Sequence, residues 1–149
     1  MAVVGALFGK VFLAAFNKEI DWLDDAIHCT LHTSLYVPDQ DVHDYVDDLS
    51  NEHAASGNYA TGGVQLAGKT ITYTGATNKI TMDANDAVWA ASTITARVAV
   101  VSDRQTGVAG TSPLIAYQQS DADISSNNGE FRVQWNASGL CEITVGAPA

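Results

Sequence analysis

Basic residues are scarce in this chain. Seven Lys and Arg stand against 17 Asp and Glu, and the formal net charge at pH 7 is −10. Neutralising a phosphate backbone takes a basic surface, so this balance argues against duplex DNA or RNA as a partner. It argues equally against docking on an anionic membrane. Cysteine is almost missing: Cys29 and Cys141 do not make a disulfide framework. Each lies in an alternating run, Ile27/Cys29/Leu31 and Cys141/Ile143/Val145, which predicts two buried thiols packed as small hydrophobes. A bridge between them requires the two runs to be neighbouring strands. Long apolar runs are lacking too. Residues 2–16 are the most apolar stretch, but Lys10 interrupts them, and they fall short of the roughly 20 residues that span a bilayer. They also lack the basic region that opens a signal peptide, so they are expected to belong to the fold. Internal repeats, low-complexity tracts and linkers are likewise missing, which leaves one domain.

What is present is core-forming. The 149 residues are 46% hydrophobic and 16% charged, enough to bury a sizeable single core. Val4, Leu7, Phe8, Val11, Phe12 and Ala15 fall at helical spacing, which predicts an N-terminal apolar helix or arm over residues 1–18, ahead of a single β-rich domain over 19–149. Leu7, Phe8, Phe12, Leu13 and Phe16 supply more large apolar area than one helical face buries, which makes them the candidate interface residues. Residues 26–33 alternate as a half-buried strand does. Val42, Tyr45, Val46 and Leu49 predict a short acidic helix over 42–49. Strands are expected at 70–74, 79–83, 94–101, 114–119, 130–135 and 140–145, separated by turn signals at 75–78, 106–110, 127–129 and 136–139. Strands this short and regularly spaced predict a mainly β fold, a β-sandwich or small barrel, with an N-terminal helix and one short acidic helix.

Several motifs invite chemistry and are read as scaffold. Gly63-Val-Gln-Leu-Ala-Gly68-Lys69-Thr70 satisfies the phosphate-binding string G-x4-G-K-T, which works only between a strand and a helix whose N-terminal amides hold the phosphates. Here β-branched Thr70-Ile-Thr-Tyr-Thr74 follows, so a turn feeding a strand is expected, with Lys69 solvated. His28 and His32 stand four apart on a strand, roughly 13 Å from each other, too far to share an ion. His43 and His53 are ten apart in sequence. Asp39, Asp41, Asp44, Asp47 and Asp48 open like a calcium loop but lack the glycine at its sixth position and a carboxylate at its twelfth, where Ser50 falls. Capping and solvating the short helix is the expected role. Asp83-Ala-Asn-Asp86 reads as a tight turn ahead of a buried Trp89, and Asn136-Ala-Ser138, formally a glycosylation acceptor, reads as a hairpin turn. No catalytic, cofactor or metal residues are assigned, and the chain is expected not to be an enzyme.

Tyr36-Val-Pro38-Asp39-Gln40-Asp41, Asn51-Glu52, Gly57-Asn-Tyr59-Ala-Thr-Gly62-Gly63, Leu66-Ala-Gly68-Lys69-Thr70, Asp83-Ala-Asn-Asp86-Ala-Val-Trp89 and Thr93-Ile-Thr-Ala-Arg97 occur in that order, ahead of a hairpin with Gly129, Trp135 and Gly139. Over residues 17–145 this set resembles a family of small virion structural proteins of tailed bacteriophages, often described as head decoration proteins. The resemblance implies a capsid decoration or cement protein on the outer head surface, assembled into the virion in the bacterial host cytoplasm. The implied partners are the major capsid protein or other virion subunits, in a homo-oligomer, with no nucleic acid, membrane or cofactor. A tail, tail-tip or collar component is the alternative. A glycan-binding adhesive module presenting Tyr59, Tyr73 and Tyr117 is a third.

Overall fold

The computed structural model describes residues 2–148. Ten strands run β1 Val3–Leu7, β2 Ile27–His32, β3 Val64–Gln65, β4 Thr70–Thr74, β5 Lys79–Asp83, β6 Ala87–Ser92, β7 Thr95–Asp103, β8 Leu114–Ser125, β9 Gly129–Val133 and β10 Cys141–Thr144, with one helix, α1 Val11–Phe16. All pairings are antiparallel. The main sheet has the order β1-β8-β7-β2-β3, and two smaller sheets are β10-β5-β4 and β6-β9. The fold is mainly β and β-sandwich-like, as expected from the strand spacing. The α-helix found among the described residues is too short to cross a membrane.

Alternation along the main sheet divides the interior in two. Ile27, Cys29 and Leu31 of β2, with Ala99 and Val101 of β7, join Trp89, Phe131, Val133 and Trp135 in the large core between the sheets. The intervening Val98 and Val100 point to the other face and pack with Phe8, Tyr36 and Leu114. Side chains alternate between faces at every step of a strand, so a sheet covered on both sides reads as an almost unbroken apolar run. Residues 98–101 are such a run. The register shifts between Ala96 and Val98, where two steps along β7 face five along β8, and at this irregularity Ala96 joins the large core despite its even number.

The N-terminal expectation is corrected. Met1 lies outside the described residues, and residues 2–18 are not a helical arm: β1 is the edge strand of the main sheet, pairing Val3 with Ser120 and Leu7 with Ala116. The spacing that fits a helix also fits alternation, and Gly5, Gly9 and the β-branched Val3-Val4 tip the balance against helix. Only six residues after Gly9 and Lys10 are helical. The acidic helix is corrected as well. Residues 42–49 form a loop with a single 3-10 turn, Val46–Asp48. The Asp48 carboxylate takes the Asp44 amide at 2.8 Å, and Asp39 takes the amides of Asp41 and Val42 at 3.1 Å. Side-chain bonds of this kind compete with helical ones. Extended Tyr45 bridges to Pro113 instead. Among the strands, β3 and β6 were not expected.

Candidate interaction surface

The nucleotide-binding string is a turn between strands. Gly63 has φ +67°, and a Cβ there would lie 1.9 Å from the Cys29 carbonyl oxygen. The glycine is required by the close approach of β2, not by a phosphate. Gly68, at φ +64°, packs against the Asn85 side chain, and β4 follows directly. The expectation of a solvated Lys69 is corrected. The residue is half-buried, and its ammonium donates to the Asp25 carbonyl.

The histidines are spent on the scaffold. His28 Nδ1 donates to the Gly62 carbonyl at 2.8 Å. His32 is 1% exposed. Its Nδ1 donates to the Ser50 carbonyl at 2.8 Å, and Nε2 accepts the Thr30 hydroxyl at 3.0 Å. Burial lowers the His32 pKa below the ordinary imidazole value, so the ring is held neutral with each nitrogen in a fixed role. His43 stacks on Tyr36 with ring centroids 5.7 Å apart, and its Nδ1 accepts the Asp39 amide at 3.2 Å and the Tyr36 hydroxyl at 3.1 Å. No group of three or more His, Cys, Asp or Glu among the described residues has metal-binding geometry. Cys29 and Cys141 are buried free thiols on strands of different sheets. Burial pushes Cys29 up to about 12 and Cys141 up to about 11, so both stay protonated and unreactive at neutral pH.

Several residues of the ordered motif set form two polar clusters beside the large core, one around Tyr59 and one around Trp135. The Tyr59 hydroxyl donates to Glu52 Oε1 at 2.9 Å and accepts the Leu31 amide at 3.0 Å. Glu52 Oε1 also accepts the Gly62 amide at 2.6 Å, and Asn58 donates to the Ala90 carbonyl at 2.6 Å. The Tyr59 ring lies 5.4 Å from Trp89, which stands 6.3 Å from Phe131. At the closing hairpin, Trp135 donates its indole N–H to the Asn85 carbonyl at 3.0 Å, and Asp86 takes the Trp135 amide at 3.1 Å. These residues build a scaffold. The aromatic trio of the glycan alternative is not assembled: Tyr59 is 1% exposed, Tyr117 packs on Phe8 at 5.0 Å, and Tyr73 alone lies open on β4.

The N-terminal unit is what remains turned outward. Val11 and Ala14 anchor α1, while Phe12, Leu13 and Phe16 on its other side are 41%, 66% and 87% exposed. Of the five candidate interface residues, these three form the outer helical face. Leu7 is half-buried against the large core. Phe8 is fully buried in the second cluster, so it is corrected from interface to core. Beside the helix, β1 leaves its outer edge open. Ala2 and Phe8 bond β8 through Asp121 and Ile115, so the backbone groups of the odd residues Val3, Gly5 and Leu7 point away from the sheet. Gln40 covers part of that edge by donating to the Leu7 carbonyl at 2.7 Å. A cleft of about 930 Å³ opens between this edge and the β9–β10 side, with Val3, Leu7, Trp135 and Leu140 in its walls.

Comparison of the chain with protein-family models, with curated proteins and with solved structures finds no match.

Proposed function

We propose that the chain is a non-enzymatic structural protein of a tailed-bacteriophage particle, and within it a decoration or cement protein bound to the outer surface of the head. The observation that carries the assembly reading is the outward apolar face of α1. A helix pinned by Val11 and Ala14 presents Phe12, Leu13 and Phe16 to the outside, and contiguous apolar patches of this kind mark contact sites. The virion part of the reading rests on the resemblance, whose residues serve turns and core and not a reaction. Charge favours the outer side of a DNA-filled shell. Four of the seven basic residues, Lys10, Lys79, Arg97 and Arg132, are tied to carboxylates, which leaves an acidic surface that DNA repels.

The major capsid protein is the proposed partner, with neighbouring copies of this chain completing a homo-oligomer. Quantitative mass spectrometry of purified particles tests the reading. Hundreds of copies per particle are expected for a head protein. A handful would move it to the tail, tail tip or collar, and absence from the particle would overturn the virion role.

A further inference from the structure

The edge strand β1 lacks the usual guards. A sheet edge presents unpaired N–H and C=O groups and is ordinarily protected by charge, proline, a bulge or brevity. The other edge of the main sheet, β3, has only Val64–Gln65. In the β10-β5-β4 sheet, the Trp22 indole donates to the Thr70 carbonyl of edge strand β4 at 2.9 Å. By contrast, β1 pairs with β8 over five consecutive residues without a register shift, and residues 2–9 hold no charged side chain and no proline. Among the described residues, the one hydrogen bond to the outward backbone groups of β1 comes from Gln40, at the Leu7 carbonyl. The N–H and C=O groups of Val3 and Gly5 are left open.

Gly5, at the middle of the strand, is not required by its own chain. Its φ is not left-handed. A Cβ there would meet Gln118 Cγ and the Tyr117 carbonyl oxygen at 3.7 Å, both ordinary contacts. Glycine weakens a strand, and where no bulge or internal contact demands it, it marks the close approach of a ligand or another backbone.

We propose that β1 pairs with β1 of a second copy, antiparallel across a two-fold axis at Val4, joining two five-stranded sheets into one. The register follows from what is free. Gln40 occupies the edge at Leu7, so Val3 of each copy stands opposite Gly5 of the other. Each such pair exchanges both of its N–H···O bonds, and Val4 faces Val4 in the narrow pair between them. The odd residues of β1 share the face on which Leu7 packs against the large core. The incoming Val3 side chain therefore lies over Gly5 at the mouth of the cleft, in space that a side chain at residue 5 would fill. Val3 and Val4, 50% and 65% exposed, are covered together.

Charge selects a second copy as the occupant. Two chains that each carry −10 repel through most of their surface, and a neutral, self-complementary strand is where they can meet. Asp121 and Asp41 stand only at its two ends, beside Ala2 and Gly9. The contact is small beside the roughly 800 Å² per partner of a stable interface, so a concentration-dependent dimer in the micromolar range is expected. The proposal rests on the homo-oligomer of the preceding reading and supplies its copy-to-copy contact; it does not draw on the virion.

Sedimentation velocity of the full chain from micromolar to millimolar concentration tests it. The wild type is expected to pass from monomer to dimer. Val4→Lys and Val4→Glu should each stay monomeric, because like charges meet at the axis, and an equimolar mixture of the two variants should dimerise. Val4 is exposed, so circular dichroism should show both variants folded. Val4→Cys supplies a second readout. The narrow pair holds its Cα atoms about 4.5 Å apart, within disulfide reach, so mild oxidation should cross-link this variant, while the wild type, with Cys29 and Cys141 buried, stays unlinked. A wild type still monomeric at millimolar concentration overturns the proposal, as does a mixture of the charge variants that stays monomeric. A dimer that both charge variants retain also overturns it, but leaves the homo-oligomer standing on another surface. None of these outcomes alters the copy number in particles, so the virion reading stands or falls separately.

Discussion

Trp89→Ala is expected to lower the unfolding free energy by about 3–5 kcal/mol, the cost of an unfilled cavity plus the lost transfer of a large aromatic. The residue is 3% exposed and sits where the β6-β9 sheet meets the main sheet, between Tyr59 and Phe131. Truncation leaves Phe131 without its edge contact and loosens the Tyr59 ring. The Tyr59 hydroxyl joins Glu52 to β2, so the damage spreads from packing into a buried polar network. Collapse around the void is resisted on two sides, because Gly63 holds its turn against the Cys29 carbonyl and Asn58 ties down Ala90. Urea unfolding followed by circular dichroism measures the effect. A loss below 1 kcal/mol would mean that the two sheets do not close on this residue.

Most of the β architecture was legible in the sequence, for identifiable reasons. The hairpin 70–83 has Thr and Ile on both arms around Gly75-Ala-Thr-Asn78, and its two strands fall where expected, at Thr70–Thr74 and Lys79–Asp83. Asn78 adopts φ +54°, the left-handed conformation such a turn demands of one residue and that Asn tolerates. Strand β6 was hidden because Ala90 and Ala91 carry little β preference, and Ala91 is itself at φ +47° where the register shifts. Strand β1 was hidden by a genuine ambiguity of period over a short apolar run, settled only by the partner β8. Burial of Phe8 followed from the same tertiary fact: it caps the second face of the sheet against Tyr117, and no local pattern reports a second face. The loop over residues 33–58 that supplies Tyr36, Val46 and Leu49 to this cluster carries a helical spacing over 42–49 that its Asp side-chain bonds to the backbone override.

Phe12→Ser with Phe16→Ser is expected to abolish incorporation into particles, or self-association of the purified chain, while leaving the fold intact. Both rings lie on the exposed side of α1, so their loss should shift stability by no more than about 0.5 kcal/mol. Buried aromatic anchors in an interface commonly contribute about 2 kcal/mol or more each, so losing two corresponds to affinity weakened on the order of 1,000-fold. Phe8→Ser is the contrasting control. Phe8 is fully buried, and its replacement should unfold the N-terminal half of the main sheet and not merely disconnect the chain from a partner. Analytical ultracentrifugation and particle incorporation read the first effect; circular dichroism separates it from the second. Normal assembly by the double variant would remove the α1 face from the account.

Image reconstruction of the particle at a resolution that shows strands tests the central claim most directly. The account predicts density for the five-stranded sheet repeated over the outer surface of the head, with α1 turned toward the shell and Phe12, Leu13 and Phe16 covered by a capsid subunit or a neighbouring copy. Density for the chain only in the tail or collar, or a head-bound chain with α1 facing solvent, would contradict it.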